Sequence, residues 1–134
     1  MSALVIDTHI LLWYLFDTSK LSPAASAAIL QAEADNAPLY VSSMSVVELR
    51  YLVEKKSFSE AHYKTALNTL TDVTLLPTIA PLDLGTADDL KAIPRATVPE
   101  LPDRVIAATA YSLNLPLVTA DTKIRNLTNV TIIW

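Results

Sequence analysis

Apolar residues along this chain fall into two kinds of run. Short continuous stretches at Leu4-Val5-Ile6, Leu39-Tyr40-Val41-Ser42, Val73-Thr74-Leu75-Leu76, Leu117-Val118-Thr119 and Val130-Thr131-Ile132-Ile133 predict five strands, the first of them buried on both faces. Longer stretches between them predict helices. One holds the run Ile10 to Phe16, after Asp7-Thr8; another covers Ala24 to Ala34, opened by Ser22-Pro23, an N-cap followed by a first-turn proline. Further helices are expected at about 45–56, 59–72 and 82–93, and from Asp103 to Leu113 with Asp103 in the first turn. Three prolines between Pro94 and Pro102 predict a loop, with a lid as an alternative role. This alternation implies a three-layer α/β fold with a mostly parallel five-stranded sheet flanked by helices, in one domain spanning 1–134.

The run from Ile10 to Phe16 is apolar on every side of a helix. Its seven residues fall far short of the roughly 20 a membrane span needs. A helix of this kind is either fully buried or part of an interface. Burying all of it is hard in so small a domain, so Trp13, Tyr14 and Phe16 are expected to serve a partner or dimer surface.

Composition narrows the class. The 134 residues are 51% hydrophobic and 18% charged, which suits one domain with a sizeable core and argues against disorder. The absence of cysteine excludes disulfides, zinc thiolate sites and thiol nucleophiles, and suits a reducing cytoplasm. No basic segment or cleavage signature marks the N-terminus as a secretory signal. The net charge of −4 is unlike the broad basic face of most nucleic-acid-binding domains. Any such contact must be local, with metal ions offsetting the phosphates.

Four acids carry the candidate chemistry. In open α/β sheets ligands bind beyond the carboxyl ends of the strands. Asp7 follows the first strand, and Asp121 lies just past the fourth. Glu48 is expected in the first turn of the helix after strand two, and Asp103 begins the helix that returns to strand four. Topology therefore brings all four to one edge. Two unit charges 4 Å apart repel by about 4 kcal/mol at an effective dielectric of 20. Such a group either stays partly protonated or holds a hard cation, Mg²⁺ or Mn²⁺. With no cysteine and no histidine pair nearby, phosphodiester hydrolysis by metal-activated water is the natural chemistry.

Each acid also has a purely structural alternative. Asp7 could cap the helix that follows it. Ser45-Val46-Val47-Glu48 has the capping-box pattern, Asp103 suits a helix N-terminus through the dipole, and Asp121 suits a turn. Arg104 could steer a phosphate or pair with Glu100, and Thr8 stands beside Asp7 as a candidate supporting residue. Arg50, Lys55 and Lys56 read as solvated helix charges, and His9 as packed or exposed rather than metal-bound.

Four ordered blocks resemble the PIN-domain nucleases, and within them the VapC toxins of toxin–antitoxin pairs. These are Val5-Ile-Asp-Thr-His-Ile-Leu-Leu-Trp13, Val41-Ser-Ser-Met-Ser-Val-Val-Glu48, Leu101-Pro-Asp-Arg-Val-Ile-Ala-Ala-Thr-Ala110 and Leu115-Pro-Leu-Val-Thr-Ala-Asp121. The resemblance implies that Asp7, Glu48, Asp103 and Asp121 are the metal-binding and catalytic acids, with Thr119 a supporting hydroxyl. It implies endoribonuclease cleavage, often of tRNA or rRNA, with Mg²⁺ or Mn²⁺. It also implies a VapB-like antitoxin partner and a homodimer. Two rivals are an inactive PIN fold used for binding and a receiver-like phosphoacceptor domain. The latter lacks support here, because Asp7 is followed by Thr8 rather than a second acid and strand three runs into Leu76-Pro77.

Overall fold

A computed structural model describes residues 2–134. The chain runs β1 (Leu4–Ile6), α1 (Thr8–Phe16), α2 (Pro23–Ala34), β2 (Leu39–Ser42), α3 (Ser43–Glu54), α4 (Glu60–Thr71), β3 (Pro77–Ala80), α5 (Leu84–Asp88), α6 (Leu101–Leu113), β4 (Leu117–Val118) and β5 (Ile132–Ile133). The five strands form one sheet in the order β3-β2-β1-β4-β5, and every pairing is parallel. Helices cover both faces, giving the three layers the alternation predicts.

The strand alternation explains the two cores. Leu4 and Ile6 of β1 point to one face, where they meet Ile10, Leu11, Ile29, Leu49 and Leu70 from α1 to α4. Val5 points to the other, against Ile106, Ala107 and Ala110 of α6. The register Val5↔Leu117 and Ile6↔Val118 keeps this sorting across the sheet, with Leu117 in the second core and Val118 in the first. A strand with both faces buried must be apolar throughout, which is the pattern of Leu4-Val5-Ile6.

Strand order also locates the site. From β1 the chain adds β2 and β3 on one side, then crosses over to add β4 and β5 on the other. The reversal falls between β1 and β4, and a crevice opens at the carboxyl ends of strands at such a switch point. Asp7 and Thr119 directly follow these two strands.

Several element boundaries differ from the sequence expectation. The third strand is Pro77–Ala80, not residues 73–76. Asp72 takes the earlier segment: its Oδ1 accepts from the Thr74 amide at 2.9 Å and from the Thr74 hydroxyl, forming an Asx turn that leaves Val73 98% exposed. β3 lies at the sheet edge, where a proline can open a strand without losing a ladder bond. The helix expected over 82–93 is the short α5, capped by Asp83 through the Thr86 amide, followed by a 3₁₀ turn at Asp89–Ala92. α6 starts two residues early, because Pro102 fits its first turn. The segment between is anchored rather than free to act as a lid, since Ile93 and Val98 are fully buried in the second core.

Candidate functional site

The site begins with Asp7, the residue that follows β1 and caps α1. Its Oδ1 accepts from the Ile10 amide at 2.9 Å, so the capping alternative is realised. Its Oδ2 accepts from the Thr119 hydroxyl, across the switch point. A carboxylate has about four lone-pair positions, so neither bond prevents it from serving a ligand as well. Asp7 is only 6% exposed, and burial pushes its pKa above the ordinary carboxylate range despite the Thr119 bond, which acts the other way.

Thr119, fully buried, also accepts from the Asp121 amide at 3.0 Å and so ties the two acids together. Asp121 is itself a turn residue, as its structural alternative requires. Its Oδ1 accepts from the amides of Lys123 and Ile124, both at 2.9 Å.

Glu48 differs from expectation in its helical position and its partners. α3 starts at Ser43 with Ser42 as N-cap, whose hydroxyl accepts from the Met44 amide at 3.1 Å. Glu48 is therefore the sixth residue, in the second turn, and the Ser45–Glu48 capping box does not form. Ser45 instead is buried inside the helix, 2.8 Å from the Thr8 hydroxyl, which lies 2.7 Å from Glu48 Oε1. Partial burial raises the Glu48 pKa, the Thr8 bond lowers it, and the Asp7 charge raises it again. Asp103 is in the first turn of α6, as expected. Desolvation first, and then the charges of Asp121, Glu48, Asp7 and Glu100, push its pKa up to about 6.

All four acids line one cleft of about 490 Å³, with Thr8, His9 and Trp13 along one side and Ile106 and Ala120 completing the wall. The N-termini of α1 and α6 open at this cleft, and their positive dipole ends favour carboxylates and bound anions there. Among the described residues, no three acids or histidines are close enough to form a ready-made metal cage. Mg²⁺ keeps several waters and is held through one or two carboxylates plus substrate phosphates. The donor set is all oxygen, and the cleft has room for a hydrated ion of on the order of 200 Å³.

Other sequence-selected residues lie elsewhere or act differently. Arg104 neither lines the cleft nor pairs with Glu100. Its guanidinium donates to the carbonyls of Ile93 at 3.1 and 3.0 Å and of Leu90 at 3.0 Å, strapping the 3₁₀ turn onto α6. Arg50 pairs with Glu54 and Glu60 on the exposed face of α3. The apolar run of α1 is divided: Ile10 and Leu11 are fully buried, Tyr14 is half-buried against the first core, and Phe16 is 37% exposed beside Phe58 and His62. Trp13, selected from sequence for an interface, reaches the cleft together with His9. Their spacing of four residues, His9 to Trp13, places them on one face of the helix that Asp7 caps, and is the signal that points there.

Residues 4–130 match the family described as PIN domain. The chain is 31% identical to Ribonuclease VapC22 of Mycobacterium tuberculosis over 127 residues, 94% of this chain and 92% of that protein. Its fold is similar to that in a crystal structure of VapBC2 from Rickettsia felis bound to a DNA fragment from their promoter, with a TM-score of 0.71, 18% identity and coverage of 97% and 96% of the two chains. It is also similar to VapBC-5 from Mycobacterium tuberculosis, with a TM-score of 0.64, 21% identity and coverage of 99% and 98%.

Proposed function

This chain belongs to the PIN-domain family, on its VapC side, and on that premise we propose that it is a divalent-metal-dependent endoribonuclease, the toxin of a toxin–antitoxin pair. The observation that carries the reading is the convergence of four carboxylates from separate segments on one cleft at the switch point of a parallel sheet. Purely structural acids have no reason to share a cleft. Burial first, and their mutual repulsion second, raise the pKa values of Asp103 and Glu48, a standing cost unless a cation or a phosphate-bearing ligand offsets it.

Asp7, Glu48, Asp103 and Asp121 are the residues that would hold Mg²⁺ or Mn²⁺. When bound, the ion supplies Lewis-acid stabilisation of phosphoryl charge and lowers the pKa of water for hydrolysis of the phosphodiester. The protein's own part is orientation. Thr119 fixes the Oδ2 side of Asp7, and Thr8 fixes Oε1 of Glu48, holding both acids in the lining of the cleft. The α1 and α6 N-termini add positive potential where a phosphate would lie.

The partner we propose is a VapB-like antitoxin, supported by the fold likeness to VapBC proteins, and the proposed substrate is tRNA or rRNA. Purified protein incubated with total RNA should produce discrete fragments with Mn²⁺ and none with EDTA. Co-expression with a VapB-like antitoxin, expected as a small reading frame beside its gene, should suppress that cutting. Undegraded RNA at millimolar Mn²⁺ would favour the inactive binding module instead.

A further inference from the structure

The connection between β4 and β5 differs in charge from the rest of the surface. From Thr122 to Trp134 the chain has Lys123 and Arg125 and no acid, although the whole molecule carries a net charge of −4. Ile124, Leu127 and Val130 are buried in the second core at a spacing of three residues. The positions between them are therefore turned outward, and Lys123, Arg125, Asn126, Thr128 and Asn129 are all exposed. Each of these side chains is a hydrogen-bond donor, and none is anionic. The connection is also firmly held. The Arg125 amide donates to the Asp121 carbonyl at 3.0 Å, the Lys123 amide to Asp121 Oδ1 at 2.9 Å, and Asn129 Nδ2 to the Ala92 carbonyl at 2.8 Å. Both cations thus stand within four residues of an acid that lines the cleft, on a turn which that acid caps. Other cations near the acids are engaged: Arg50 pairs with Glu54 and Glu60, and Arg104 holds backbone carbonyls. Among the described residues, Lys123 and Arg125 form no ion pair.

We propose that the β4–β5 connection is a phosphate track, with Lys123 and Arg125 holding RNA backbone phosphates beyond the one at the acids. The inference rests on the ribonuclease reading above. An acidic protein as a whole repels a polyanion, so affinity must come from a local patch whose cations are not neutralised by neighbours. Screening makes such a patch effective. At physiological salt the Debye length is about 8 Å, so acids on the far side of the molecule are hidden from the strand while adjacent cations act on it. The track also gives the strand a direction, because Glu100 stands at the start of α6 on another side of the cleft and adds negative charge there. Contacts of this kind position a strand without reading its bases.

The test is the salt dependence of RNA binding by the full chain, with Ca²⁺ in place of Mn²⁺ and a short labelled RNA of mixed sequence as probe. Fluorescence anisotropy gives the association constant at each KCl concentration. Lys123→Gln and Arg125→Gln should each bind about five-fold more weakly near 0.1 M salt, and each should flatten the slope of log K against log salt by about 0.7. The double variant should flatten it by about 1.4. Both positions are exposed and the buried anchors stay in place, so each variant should fold. Lys20→Gln is the control for net charge, since it lies at the far end of α1 from Asp7 and should leave the slope unchanged. An unchanged slope in the double variant would overturn the proposal and leave the patch to an acidic protein partner. An equal loss in Lys20→Gln, or no binding of the probe by the parent protein at low salt, would also overturn it. A flattened slope without any cleavage by the parent in Mn²⁺ would sink the ribonuclease reading alone; cleavage with an unchanged slope would sink the track alone.

Discussion

The Thr8 hydroxyl lies 2.7 Å from Glu48 Oε1, a bond between α1 and α3 that joins residues forty apart in sequence. The same oxygen is 2.8 Å from Ser45 Oγ, so one buried hydroxyl both locks the helix contact and aims a carboxylate at the cleft. Thr8→Val keeps the side-chain shape and removes both bonds. Stability should fall by about 1–2 kcal/mol, and RNA cleavage by roughly 10–100-fold, as for other groups that orient a metal ligand. Thermal unfolding and initial cleavage rates check the two effects separately.

Asp103 makes the pH dependence of stability unusual in sign. Its pKa of about 6 in the folded protein is above the ordinary value of 3.8, so the folded state holds the proton more tightly than the unfolded chain does. The penalty is absent below the lower value and fully present above the higher one. Stability of the protein in EDTA should therefore decline as pH rises through this window, with the raised Asp7 and Glu48 acting in the same direction. Asp103→Asn should flatten the decline and add about 1 kcal/mol at neutral pH, once solvent screening of this half-exposed group is allowed for. Melting temperatures from pH 4 to 8, roughly the range of this linkage, decide it.

Added Mn²⁺ should reverse that penalty. Saturation at about 100 times Kd corresponds to about 2.7 kcal/mol, seen as a higher melting temperature. Asp7→Asn and Asp103→Asn should each show a much smaller Mn²⁺-dependent rise. A shift in the variants equal to that of the parent protein would place the ion elsewhere.

Arg104 supports the fold, with its guanidinium on the carbonyls of Leu90 and Ile93. Arg104→Met should lower stability by about 1.5–3 kcal/mol through these charge-assisted bonds. At a temperature where the variant remains folded, its KM for RNA should match the parent's. A raised KM with unchanged stability would restore the phosphate-steering role.

The sequence disclosed the sheet and the meeting of the acids because both follow from strand alternation and parallel topology. Leu4-Val5-Ile6 reads as a strand buried on both faces, and every parallel strand delivers its following residue to the same edge. Glu48 was harder. Ser45-Val46-Val47-Glu48 carries a capping pattern, but Ser42, three residues earlier, wins the cap and moves Glu48 into the second turn. Residues 73–76 have strand composition, yet a single Asp72–Thr74 turn displaces the strand to Pro77. Thr8, Ser45 and Thr119 owe their roles to contacts between distant elements, which periodicity cannot reveal. For Asp7 and Asp121, the choice between cap and site residue was not a real one, since a carboxylate can bond a backbone amide and still face the cleft.

The central claim is that these four acids act together on RNA, and Asp7→Asn tests it most directly. Asparagine can still accept from the Ile10 amide and pair with Thr119, so circular dichroism should show a folded protein at least as stable as its parent in EDTA. With Mn²⁺ and RNA, the parent should cut and Asp7→Asn should not. Cleavage by the folded variant at the parent's rate would contradict the account.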